Sequence, residues 1–276
     1  MLKKLILIIA CTVTLNANVN TIIKDILGSD KYAINENLIN YIFKDSSYYI
    51  YERVNYNINK RINYVALTNK LQKNGLLKLK YDSSQYIDVS FKITGTPKKS
   101  LLILKDSLKS LGHYFYIVQD VIYNKNSFIW TIKLKTEAAI NPLRLTRALE
   151  NNNCQVSYIK REGAYNWKYI INSDNSSIYQ AIDLITEDKL SLNKPLRPYL
   201  LKVSNANYLK ITSNRGNRWH PDVIFYDNNL NIIENFKDNS LHRKLKIDVP
   251  NNTTYIKIND LYSLANLKRG ISITKE

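Results

Sequence analysis

The chain has 276 residues, 45% hydrophobic and 23% charged, which is a globular composition for one to three domains and excludes a disordered or fibrous chain. The formal net charge of +17 draws polyanions towards it, although the crowding of Lys, Asn, Ile and Tyr also matches what AT-rich coding produces. With two cysteines it is no disulfide scaffold.

The start reads as a secretory signal peptide. Met1-Leu2-Lys3-Lys4 is basic, residues 5–15 are mainly apolar, and Asn16-Ala17 gives a small-residue exit. The run is shorter than the roughly 20 residues a membrane-crossing helix needs. Cleavage after Ala17 removes Lys3 and Lys4, lowers the charge from +17 to +15, and leaves Cys154 as the one cysteine. Export to a periplasm is therefore expected, which makes nucleic acid an unsuitable partner. Ile8-Ile9-Ala10-Cys11 is a loose lipoprotein box, so lipid attachment at Cys11 and an outer-membrane location, or secretion, stand as alternatives.

Residues 18–60 read as a helical N-terminal region, with helices over 21–27 and 35–43 and a strand near 48–51. A repeated pattern follows between 62 and 172: an amphipathic helix, a break, and two strands joined by a turn. The helices carry the pairs Leu67 and Leu71, Leu104 and Leu108, Leu145 and Leu149, whose i, i+4 spacing puts both side chains on one face. Gly75, Gly112 and Asn153 stand where a left-handed residue closes a helix, and Pro97 and Pro142 suit helix first turns. The expected strands are 76–80 and 86–94 about a turn at 82–84, 113–123 and 127–135 about 124–126, and 154–160 and 165–171 about 162–163. Each helix-on-hairpin unit leaves an apolar face that needs a neighbour. Cys154 opens a strand, as a small apolar residue rather than a nucleophile.

From residue 86 the order β-α-β-β-α-β is the split arrangement of a ferredoxin-like sandwich. Over roughly 60–175 it also resembles ring-building and secretin N-terminal modules of periplasmic assemblies. That resemblance implies protein–protein packing without catalytic residues. This αββ region runs over 61–190 and includes a helix expected at 178–185. Residues 192–198, with Pro195 and Pro198, read as a linker.

Residues 199–276 read as an all-β sandwich, with strands at 199–203, 208–212, 222–226, 231–235, 244–249, 255–258 and 270–274. The stretch Asp222-Val223-Ile224-Phe225-Tyr226-Asp227-Asn228-Asn229 and the later Pro250-Asn251-Asn252-Thr253-Thr254-Tyr255-Ile256 resemble pre-peptidase C-terminal and carbohydrate-binding-like sandwiches. Such sandwiches bind glycans or serve as accessory domains. The loop holding Arg215, Arg218, Trp219 and His220 is the candidate ligand site, with an aromatic face for a sugar and two guanidinium forks for an acidic group. The opposing reading places Trp219 under the sandwich. Asp222 and Asp227 read as strand-end caps before calcium ligands.

His113, His220 and His242 show no metal-ligand spacing, and no GxSxG or P-loop occurs. The fold expected is α+β: helix-on-hairpin, ferredoxin-like modules, then an all-β sandwich. The function expected is a non-enzymatic periplasmic accessory protein, with no cofactor, no metal and no catalytic residue. It would bind other envelope proteins, as in a flagellar or secretion-type assembly, through exposed strand edges, and self-association is compatible with this. The rivals are a glycan-binding module for peptidoglycan or surface polysaccharide and a secreted factor acting on host cells, and an anionic glycan or a membrane surface stands as a further partner.

Overall fold

A computed structural model describes residues 19–44, 48–54, 57–124 and 127–276. The expected signal peptide, its cleavage point and Cys11 lie outside the described residues. The fold is α+β, with helices on a mixed sheet followed by a two-sheet β-sandwich. No helix among the described residues is long and apolar enough to cross a membrane.

Three short helices open the described residues: α1 (Val19–Leu27), α2 (Ser29–Ile34) and α3 (Glu36–Ile42). The strand near residue 48 proves to be half of a hairpin, β1 (Tyr49–Val54) with β2 (Asn57–Ile62). The N-terminal region is therefore not helical throughout.

The three repeat helices form where the leucine pairs place them: α4 (Tyr64–Lys73), α5 (Pro97–Ser110) and α6 (Pro142–Glu150). All six leucines are buried in one core. Asn63 and Asn141 cap their helices by accepting the N–H of Ala66 and Arg144, which satisfies donors the helix itself leaves unpaired. Asn153, with φ of 54°, turns the chain out of the segment after α6 without glycine's freedom.

These helices cover one face of a five-stranded sheet made of β3 (Lys80–Thr94), β4 (Ile117–Asn124), β5 (Ser127–Ala138), β6 (Gln155–Glu162) and β7 (Asn166–Asn172). The hairpin expected in the first repeat is absent. Leu76 and Leu77 donate their N–H groups back to Leu71 O at the helix end, and residues 76–79 run outside regular structure. The polar residues Asp82, Ser83 and Ser84 do mark an irregularity. It is an offset in β3, between the pairs Lys80–Ala138 and Gln85–Thr136, and the chain does not reverse there.

The sheet order is β4-β5-β3-β7-β6. β5 lies between β3 and β4, as the split β-α-β order requires. β7, not β6, then lies beside β3, and the pair is parallel. The β6–β7 hairpin enters as a unit, and its more apolar strand takes the inner place. Tyr169 of β7 stacks on Phe91 of β3, and Phe91 stacks on Trp130 of β5, making an aromatic row across three strands.

The helix expected at 178–185 does not form. Its apolar residues divide between two cores: Ile178 and Ala181 pack with the first, Ile182 and Leu184 with the sandwich. β8 (Ile182–Asp183) and β9 (Lys189–Leu192) instead join the sandwich sheets. The sandwich therefore takes in chain well ahead of residue 199, and residues 193–198 connect two of its own strands.

All seven strands expected in the C-terminal third are present: β10 (Tyr199–Lys202), β11 (Tyr208–Ser213), β12 (Pro221–Tyr226), β13 (Ile232–Lys237), β14 (Lys244–Asp248), β15 (Tyr255–Asp260) and β16 (Ile271–Lys275). They form the sheets β13-β12-β15-β10-β8 and β14-β11-β16-β9. Phe225, Ile256 and Ile258 of one sheet and Leu209, Ile211 and Ile273 of the other close the core.

The two parts meet along a seam. Lys99 is buried there, and its ammonium donates to Ser176 O (2.8 Å) and Asn228 Oδ1 (3.3 Å). Burial pushes its pKa down. Thr96 and Lys98 hydrogen-bond Asn229 and Asn231 on the β12–β13 turn, and the Tyr255 hydroxyl accepts from Ile178 N. A cavity of about 730 Å³, lined mainly by apolar groups such as Leu102, Leu200 and Tyr226, lies beside this seam.

Candidate functional site

Two surfaces stand out: the loop expected from the sequence, and the outer strand of the first sheet. In the loop, Trp219 is fully buried and its indole N–H donates to Asn259 O at 2.8 Å. It lies inside the sandwich and offers no stacking face, so the glycan-platform role is corrected. The reason is period-two phase. Trp219, Pro221, Val223 and Phe225 are all buried, so the inward alternation of β12 begins before the strand does. His220 is largely enclosed. Its N–H donates to Asp260 Oδ2 at 2.8 Å, and its ring meets Tyr262 edge-on at 4.8 Å.

Arg215 and Arg218 are exposed, as a ligand role requires. Their loop is stapled to the β15–β16 connection. Asn214 Nδ2 donates to Arg269 O, Asn217 Nδ2 donates to Gly270 O, and Arg269 N donates to Asn217 Oδ1, each at 2.7 Å. The structure thus brings Arg269 beside Arg215 and Arg218, a neighbour that sequence distance conceals.

Asp227 accepts the N–H groups of Asn229 and Asn231 and caps a turn. Asp222 accepts from Asn259 Nδ2 and lies 4.0 Å from the Lys237 ammonium. Among the described residues no three His, Cys, Asp or Glu side chains converge as a metal site. Cys154 is buried, and desolvation pushes its thiol up to about 12, the opposite of an activated nucleophile.

The second surface is β4, an outer strand that among the described residues pairs only with β5. By register Val118, Val121 and Tyr123 lie opposite buried Ile132, Trp130 and Phe128, on the helix-covered face. The helices do not reach that far, and all three β4 side chains are open. Ile117 and Ile122 lie opposite Lys133 and Ile129 on the other face and are open too. Phe115, Ile117 and Tyr123 are 91%, 65% and 63% exposed. A single charge, Asp120, interrupts the strand.

Outer strands carry unpaired N–H and C=O groups, and proteins guard them with lysines, prolines or a covering element. Among the described residues β4 has none of these, and its departures from a regular edge are a register irregularity between Val118 and Asp120 and the Asp120 charge. Its arrangement suits main-chain pairing with an added strand, with apolar side chains gripping from both faces. A sequence signal existed: Ile117-Val118 and Val121-Ile122-Tyr123 are apolar at consecutive positions, where a strand with one wet face alternates.

No protein family, curated sequence or solved structure matches this chain.

Proposed function

We propose that this protein is an exported, non-enzymatic scaffold of a bacterial envelope that holds a partner protein by strand addition at β4. The observation that carries this reading is an outer strand that, among the described residues, has no lysine, proline or covering element, is apolar on both faces and is nearly free of charge. The buried Cys154 thiol supports a structural role for the residue most easily mistaken for a nucleophile. The basic start and short apolar run support export, and the mature chain should begin at Asn18 when sequenced from cells.

The partner is an extended segment of another envelope protein. A photo-crosslinking residue at Ile117 or Ile122 should give a discrete adduct with one such protein in the producing cell, and Val121→Lys should abolish it. Adducts no more frequent than those from Lys168, exposed on β7, would overturn the reading. Adducts made only with a second copy would replace the scaffold by a self-assembling protein.

A further inference from the structure

Three loops leave the end of the sandwich opposite the seam: 214–220 after β11, 238–243 after β13 and 261–270 after β15. They bind one another into a platform. His242 N donates to Trp219 O and Arg218 N donates to Asn266 O, both at 2.9 Å, in addition to the staples between Asn214, Asn217 and residues 269–270. This platform displays Arg215, Arg218, Arg243, Lys268 and Arg269, all exposed. None of the five has a carboxylate partner among the described residues.

The carboxylates at this end are engaged within the protein. Asp238 holds His242 at 2.8 Å and the Ser240 N–H. Asp260 accepts from His220 N, Tyr262 N, Ser263 N and Asn266 Nδ2. Asp222 faces Asn259 and Lys237. Two large apolar side chains project from the same loops, Leu241 at 59% and Tyr262 at 65% exposure.

We infer that this end of the sandwich docks on an anionic lipid surface, with the five cations meeting lipid phosphates and Leu241 and Tyr262 entering the headgroup layer. Cations alone would serve any polyanion. The projecting apolar pair distinguishes a membrane, because an acidic polysaccharide leaves Leu241 without a partner, and the one tryptophan of these loops is buried out of reach of a sugar.

The test is sedimentation of the full mature chain with vesicles of phosphatidylglycerol mixed into phosphatidylcholine, against phosphatidylcholine alone. Binding to the mixed vesicles should weaken as salt rises. At about 1 kcal/mol for each cation at the surface, R218Q/K268Q/R269Q should lower the partition coefficient about 100-fold. L241S/Y262S should lower it with the charge unchanged, and retained thermal midpoints would show both variants folded. K70Q/K73Q/K109Q removes equal charge from exposed positions on α4 and α5 and should bind nearly as the parent does. Equal loss in that control would reduce the effect to overall charge and overturn the proposal. So would undiminished vesicle binding by L241S/Y262S, or retention on heparin with no retention on vesicles.

Discussion

The two outer strands of the first sheet differ in how they meet solvent. β6 is guarded: α1 packs along it and buries Ile22, Ile23 and Ile26 in the shared core. The Tyr158 hydroxyl donates to Asp25 Oδ2 at 2.9 Å, Tyr64 OH donates to the Ser157 carbonyl, and Lys160, Arg161 and Glu162 charge the strand's end. β4, at the other side, has no helix of the described residues along it and one charge. Both strands carry a register irregularity, so bulging alone does not separate them. Since an exposed apolar strand invites aggregation, the open edge is where the proposed partner would add its strand.

This contrast can be broken most sharply from the guarded side. Ile26→Ala removes a fully buried side chain from the α1 layer and should cost about 2–5 kcal/mol in a denaturant titration, the usual range for such truncations. A cost below about 1 kcal/mol would mean that α1 adds little to the sheet.

Alkaline pH should also act through the guarded edge. Burial raises the Cys154 thiol from 9.0 and the Tyr158 phenol from 10.0, each to about 12, the nearby Asp25 adding to the second shift. Both groups stay protonated longer in the fold than in the unfolded chain. Their contribution is complete below pH 9 and is lost progressively as pH rises towards 12. Stability measured across that window should fall, and Cys154→Ala with Tyr158→Phe should flatten the fall. A thiol reagent at pH 8 should label Cys154 only as fast as the protein opens.

A smaller effect is expected of Tyr158→Phe at neutral pH. Losing the hydrogen bond to Asp25 should cost about 0.5–1.5 kcal/mol by denaturation, and Asp25→Asn combined with it should add less than the sum of the two single changes. The smallest belongs to the open edge: Val121→Lys should alter stability by about 0.5 kcal/mol or less while raising solubility, because that side chain already meets water. A large loss of stability there would show that β4 is held by its own packing rather than left open for a partner.

Periodicity and local chemistry determined much of this protein on their own. The leucine pairs marked three helices and their buried faces, because a helix repeats every 3.6 residues whatever it packs against. Alternation through Phe128, Trp130, Ile132 and Leu134 marked the inner face of β5, and the strands of the sandwich followed from their turns. Arg215 and Arg218 were legible as exposed cations. Tertiary structure decided the rest. Ile178, Ala181 and Ile182 have helical spacing, yet two cores claim them in different directions. Whether Asp82, Ser83 and Ser84 reverse the chain or merely offset it depends on β5 continuing alongside. The company of Arg243, Lys268 and Arg269 beside Arg218, and the exposure of β4 beyond the helices, depend on which strands become neighbours and where the helix layer stops. Those are long-range choices, made by matching whole surfaces, and no window of neighbouring residues contains them.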